Sequence, residues 1–245
     1  MTTIASTSNP RLKALRRLQT KRGRAASGQF AAEGEDLLEA AADAGWEPVE
    51  GFRLAGTALG GAGFHDVEGR ALGDASALGS GTRVVAVYAQ RWATGPQGPL
   101  CVYLHGVRDP GNVGTVLRSA HAFGASCVAL GPGCADPHSP KAVRASMGAI
   151  FAVPLARASS PAGLPGARIA LSASAPETLR EIAGEGIEAA TLLIGAEREG
   201  LPAEVTAACE RHARIPIAGE SLNAAMAATV ALYEMTRSSS RVPAS

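Results

Sequence analysis

Aromatic residues make up only 4% of the 245-residue chain. A nucleic-acid platform built from rows of stacked rings is therefore excluded as its main recognition device. Cysteine is scarce too: Cys101, Cys127, Cys134 and Cys209 are scattered, no two form a CxxC pair, and three of them sit in apolar surroundings. That spacing speaks against a zinc site or a disulfide scaffold and predicts buried, reduced thiols. Long apolar runs are missing as well, since stretches such as AATVAL (227–232) fall far short of the roughly 20 residues that a membrane span needs. The amino terminus, MTTIASTSNPRLKALRRL, lacks the apolar core of a secretory signal, so a cytoplasmic location is the default expectation. No internal repeat or low-complexity tract is visible.

The most informative absence is local. Residues 1–32 contain no acidic side chain but carry Arg11, Lys13, Arg16, Arg17, Lys21, Arg22 and Arg24, a segment charge of +7. The whole chain has a net charge of only +1, because the remaining 16 basic and 22 acidic residues sum to −6. A basic segment of this density is an electrostatic footprint for phosphates, with a solvated charged helix as the plain alternative. At 46% hydrophobic and 18% charged residues the chain is not globally disordered. Its length suits one large domain or two smaller ones.

Asn9 before Pro10 predicts a helix start, and Leu12, Leu15 and Leu18 recur at helical spacing, so a single amphipathic basic helix is expected from there to about Gly23. A second helix is expected over Gly34 to Ala44. Residues 46–90 show little beyond short strand-like runs such as VVAVYA (84–89) among glycine-rich loops. QRWATGPQGP (90–99) reads as a linker. Beyond it, LCVYLHGV (100–107), SCVALG (126–131), AIFAVPL (149–155), RIALSA (168–173), TLLIGA (191–196) and RIPIA (214–218) are continuous apolar runs with helix-like segments between most of them. Strands of that kind are buried on both faces, which predicts an α/β fold with a mostly parallel sheet covered by helices. SSSRVPAS, the final residues, reads as a frayed tail.

Ligands of open α/β sheets bind beyond the carboxyl ends of strands, and three such loops carry suggestive chemistry. In HGVRDPGNVGTVLRSAHAFGA (105–125), Asn112 falls at a helix start, Arg118 lies nearly two turns further on, and Gly114 leaves space beside the guanidinium. An ordinary helix cap and a solvated charge would explain the same residues. In LLIGAEREGLP (192–202) a buried strand runs into Gly195, Glu197 and Gly200, where backbone can approach a ligand closely; a strand-to-helix turn with solvated charges competes. In IPIAGESLNAAMAATVALYE (215–234), Ser221 is the expected cap of a helix whose apolar face runs through Leu222, Ala225, Met226, Val230 and Tyr233. Met226 and Tyr233 are expected in the core. Free amides at that helix start could hold an anion, and Asn223 would point into the same region.

Together these segments resemble the three signature motifs of the SpoU, or TrmH-like, RNA ribose 2'-O-methyltransferases of the SPOUT superfamily. Asn112, Gly114 and Arg118 match the first motif, IGAEREGL the second, and IP followed by SLNAAMAATVALYE the third. DPHSPKAVRASMGAIFAVPL (136–155) is similar to the family's connecting region, and SNPRLKALRRL with GQFAAEGEDLLEAA to the RNA-binding extension of many members.

The resemblance implies a smaller α/β RNA-binding domain over 1–90, a linker over 91–99, a methyltransferase domain over 100–237 that ends in a deep trefoil knot, and a tail over 238–245. It implies S-adenosylmethionine as cofactor, held by Ser172, Ile194, Gly195, Ala196, Gly200, Ile215, Ile217 and Leu222 largely through backbone, with no metal. It also implies a homodimer formed through the knotted domain. Arg118 matches the arginine proposed as the family's base. Because a guanidinium ordinarily stays protonated, Arg118 either loses its proton in special surroundings or positions an RNA phosphate and stabilises the developing alkoxide. Asn112, Glu197, Ser221 and Asn223 would hold that geometry. Arg11, Lys13, Arg16, Arg17, Lys21, Arg22 and Arg24 would grip RNA, with Lys141 and Arg144 extending that surface beside the active site. Ribosomal RNA is the expected substrate and transfer RNA the alternative.

Two other readings compete. GPGCAD (131–136) begins like a dinucleotide fingerprint, but Asp136 stands where the third glycine belongs. A noncatalytic RNA-binding protein of the same fold would not need the complete set Asn112, Arg118, Glu197, Ser221 and Asn223.

Overall fold

The computed structural model describes residues 3–79, 81–219 and 221–237, so the expected tail over 238–245 lies outside the described residues. In chain order the elements are α1 (Pro10–Arg17), α2 (Lys21–Ser27), β1 (Gln29–Glu33), α3 (Glu35–Asp43), β2 (Glu50–Leu54), β3 (His65–Val67), α4 (Gly69–Ala75) and β4 (Val84–Ala89). They continue with β5 (Leu100–Leu104), α5 (Pro110–Ala122), β6 (Cys127–Leu130), α6 (Pro140–Ser146), α7 (Ala149–Ala152), β7 (Leu155–Arg157), β8 (Ala167–Leu171) and β9 (Glu177–Thr178). The last are α8 (Leu179–Gly184), β10 (Ala190–Ile194), α9 (Ala203–Ala207), β11 (Arg211–Arg214) and α10 (Ala224–Arg237). Two compact units result: the chain up to Arg91 with Asp136–Ala152, and Trp92–Ala135 with the chain from Val153 onward.

The first unit is built on a four-stranded sheet of order β1-β4-β2-β3, antiparallel except for the β2–β3 pair. Leu12, Leu15 and Leu18 pack with Phe52, Val67, Leu72, Val85 and Val87 on one face. Alternation along β4 turns Tyr88 the other way, where it meets Phe30 (5.9 Å between ring centroids) and Phe151 (5.0 Å). Trp46 closes this aromatic cluster at 5.3 Å from Phe151 and donates its indole N–H to the Phe151 carbonyl at 2.9 Å. Burial pushes the Tyr88 hydroxyl up to about 12.

The single basic helix expected to Gly23 is two helices. Asn9 caps the first as expected, its side chain accepting from the Arg11 amide at 2.9 Å, but Thr20 interrupts the run by capping α2 through the Gly23 amide at 3.0 Å. The two helices meet so closely that a Cβ on Gly23 would lie 1.9 Å from the Arg17 carbonyl oxygen. AIFAVPL, expected as one strand, is the short helix α7 followed by β7 after Pro154. The turn before it, Met147 and Gly148 at positive φ, starts α7 and delivers Phe151 to the aromatic cluster.

The second unit carries a seven-stranded sheet of order β7-β6-β5-β10-β8-β11-β9 with every pair parallel. Its central strands β5, β6 and β10 are buried throughout, as their continuous apolar runs require. Cys101, Tyr103 and Leu193 pack with Val205 of α9, while α5 and α10 are joined by the Ser119 and Thr229 hydroxyls, 2.6 Å apart. All four cysteines are free, Cys101 and Cys127 side by side in register and buried. Their shared hydrogen bond and burial hold the Cys101 thiol well above its ordinary value. Residues of the expected linker are tied down in this unit: Ala93 donates to Leu155 at 2.7 Å, Ala190 donates to Pro99 at 2.8 Å, and Arg157 stacks on Trp92 at 4.2 Å. RIPIA is not a strand, because β11 ends at Arg214 and Pro216 has no N–H to continue the ladder.

Candidate active site

The carboxyl ends of β8, β10 and β11 feed three loops that surround a cavity of about 400 Å³. All eight residues expected to hold a cofactor line it: Ser172, Ile194, Gly195, Ala196, Gly200, Ile215, Ile217 and Leu222. The loop after β10 folds back on itself, with Ala196 N–H donating to the Gly200 carbonyl at 3.2 Å and the Gly200 N–H returning to Ala196 at 2.9 Å. A Cβ on Gly195 would stand 2.1 Å from the Gly200 carbonyl carbon, so only glycine permits this closure. Leaving the sheet at Arg214 turns Ile215 and Ile217 into wall residues instead of strand residues. The lining combines aliphatic and small residues with the polar and charged Ser221, Glu197, Arg198 and Glu199, a surface suited to a ligand with both apolar and polar parts.

Beside the cavity, side chains of all three motifs meet. Asn112 is not the helix cap. Asp109 fills that role by accepting from the Asn112 amide at 3.1 Å, with Pro110 in the first helical position. The Asn112 side chain is thereby released, and its Nδ2 donates to Glu197 Oε1 while its Oδ1 accepts from Asn223 Nδ2 at 3.1 Å. Asp109–Pro110 repeats the pattern of Asn9–Pro10, so the signal for the true cap was present in the sequence and was missed. Ser221 is likewise not the cap of α10; Asn223 Oδ1 accepts from the Ala225 amide at 2.9 Å and the Met226 amide at 3.4 Å. Ser221 and Glu197 line the cavity. Sequence reasoning also overlooked Leu171, Thr206, Ala213 and Ala227 as lining residues, since they lie on regular elements that only the fold brings together. Arg118 is exposed on α5 and makes no ion pair among the described residues.

The basic segment is less uniform than its composition. Arg24, expected to grip RNA, is only 3% exposed. Its Nε and Nη2 both reach Asp136 Oδ2 at 2.7 Å, and its Nη1 donates to the Leu18 carbonyl at 2.7 Å. Arg11 pairs with Glu50, and Arg16 donates to the Thr7 carbonyl. Lys13, Arg17, Lys21 and Arg22 are exposed and make no ion pair among the described residues. Lys141 and Arg144 are exposed on α6, a helix of the first unit and not of the unit that holds the cavity. Met226 and Tyr233, expected in the core, are 61% and 49% exposed; the buried stripe of α10 runs instead through Ala224, Ala225, Ala228, Ala231, Leu232 and Met235.

Comparison with known proteins agrees with this arrangement. The family model described as SpoU rRNA Methylase matches residues 99–233, and one described as an MRM3-like substrate binding domain matches residues 9–58. The chain is 33% identical to an uncharacterised tRNA/rRNA methyltransferase of Synechocystis over 96% of its own length and 93% of the relative's. A 23S rRNA (uridine(2479)-2'-O)-methyltransferase of Streptomyces viridochromogenes is 36% identical over 53% of this chain and 49% of its own. The crystal structure of an rRNA methyltransferase from Sinorhizobium meliloti with bound AdoMet superposes with a TM-score of 0.84 at 32% identity, covering 96% of this chain and 97% of that one. S-adenosylmethionine is the cofactor, and the size of the cavity fits it. The chain belongs to the SpoU rRNA methylase family of RNA methyltransferases.

Proposed function

We propose that this protein transfers a methyl group to a ribose 2'-hydroxyl of RNA, and that ribosomal RNA is its substrate. The observation that carries the reading is the meeting of Asn112, Glu197 and Asn223, one from each motif, beside the cavity lined by the eight residues expected to hold the cofactor. The Streptomyces relative, named for 2'-O-methylation of 23S rRNA, supports the ribose oxygen and the ribosomal target. S-adenosylmethionine supplies an activated methyl group, held through Gly195, Ile215, Leu222 and their neighbours.

The chain itself must bring a ribose hydroxyl into line with that methyl and manage its proton. Arg118 presents a guanidinium unencumbered by carboxylates, which suits it to hold the RNA phosphate and to stabilise charge developing on the attacking oxygen. Lys13, Arg17, Lys21 and Arg22 of the first unit give a grip on phosphates that is independent of sequence and weakens with salt. The match of residues 9–58 to a substrate binding domain supports that role. The second unit carries the trefoil knot in this reading, and a second copy covers Met226 and Tyr233.

The test is a map of 2'-O-methylation across total RNA from cells with and without the protein. Loss of one ribosomal mark is expected. Loss of a transfer RNA mark overturns the choice of substrate, and failure to bind S-adenosylmethionine in calorimetry favours the noncatalytic reading.

A further inference from the structure

We propose that Glu197 receives the proton of the attacking hydroxyl and that Asn112 and Asn223 orient its carboxylate for that purpose. The inference rests on the 2'-O-methyl transfer proposed above. A hydroxyl attacking a methyl carbon must shed its proton, and the group that takes it needs a free lone pair. The guanidinium of Arg118 has five donors and no acceptor. Among Asn112, Arg118, Glu197, Ser221 and Asn223, only Glu197 ends in an acceptor-only group. Among the described residues of these motifs, Asp109 is engaged in capping α5, and Glu199, which also lines the cavity, has an exposed Arg108 at 4.0 Å but no hydrogen bond that orients its carboxylate.

The hydrogen bonds around Glu197 have a fixed direction. The first-turn amides of α10 can only donate, so they require Asn223 to turn its Oδ1 toward them. This leaves Asn223 Nδ2 to face Asn112, which must answer with Oδ1. Asn112 then has only its Nδ2 to offer Glu197. The backbone of one helix thus determines both amide orientations and places a donor on one carboxylate oxygen. The other oxygen has no partner among the described residues, and Glu197 lines the cavity. In the step itself, the ribose oxygen bonds to the methyl carbon as the carbon–sulfur bond breaks and its electron pair passes to sulfur. The hydroxyl proton moves to the free oxygen of Glu197 and leaves later to water.

Glu197→Gln separates this role from a structural one, because glutamine keeps an oxygen for Asn112 but is no base. The expected result is a fall in kcat of about 10²-fold to 10⁴-fold, with calorimetric affinity for S-adenosylmethionine and affinity for RNA within twofold of wild type. The remaining rate should climb with pH as hydroxide takes over, where the wild-type rate is flat, and Glu197→Asp should recover part of the loss. A Gln variant at wild-type rate overturns the proposal, as does one that loses cofactor affinity in proportion to rate. If the wild-type protein itself binds S-adenosylmethionine but leaves ribose unmethylated, the functional reading fails and this proposal falls with it.

Discussion

At the scale of the residue, Arg118 and Arg24 show how one side-chain type serves opposite ends. Arg118 is exposed and makes no ion pair among the described residues. Its replacement by alanine should lower kcat/KM by about 10²-fold to 10³-fold, as loss of a charge-stabilising donor does, while calorimetry finds S-adenosylmethionine bound as before. An Arg118→Ala enzyme with full methyl-transfer rate would exclude the positioning role. Arg24 is buried against Asp136. Removing one partner of such a pair costs about 3–5 kcal/mol, so Arg24→Met should lower the denaturation midpoint sharply. The salt dependence of RNA binding should stay unchanged, whereas Lys21→Met should reduce its slope by about 1. Nothing in the spacing of seven basic residues distinguishes Arg24 from Lys21. The partner that buries it, Asp136, stands 112 residues away.

Elements were legible where the cause is local. Continuous apolar runs marked β5, β6, β8 and β10, and Gly34 with Ala44 bounds α3 as expected. The failures also have local causes that a competing pattern hid. Thr20 turned one helix into two, Pro216 stopped β11, and Asn223 took the capping role expected of Ser221. Ion pairs between elements were beyond reach. Glu210 accepts from the backbone N–H of Arg168 at 2.8 Å as well as from its guanidinium, and these bonds hold its carboxyl down at about 2. A carboxylate depressed in the folded state contributes stability above its unfolded pKa and loses it as pH falls through the folded value. The stability advantage of wild type over Glu210→Gln should therefore be constant above about pH 5 and vanish on acidification toward pH 2. Because the pair is partly exposed to solvent, the full effect should stay within about 1 kcal/mol in denaturant titrations. An advantage that persists unchanged at pH 2 would show that the ion pair is not its source.

For the molecule as a whole, the chain passes between its two units at residues 91/92, 135/136 and 152/153. The segment between the last two passages, expected within the methyltransferase domain, packs in the first unit. The exposed side of α10 concerns the assembly: Tyr233 meets Phe123 edge-on at 6.1 Å, and Met226 lies two helical turns before it. If a second copy covers this face, Met226→Asp should shift the sedimentation of the protein to that of a monomer without unfolding it. A Met226→Asp protein that sediments as wild type would remove this face from the interface. By itself the sequence determined the α/β class, because strands buried on both faces demand continuous apolar runs, and it carried the family's motifs, whose resemblance implied eight of the residues that line the cavity. Only the tertiary structure decided which cations are free, which asparagines orient Glu197 and which face of α10 is bare. Each of those depends on a partner brought from far along the chain, and a side chain's charge or cap function follows from what it touches.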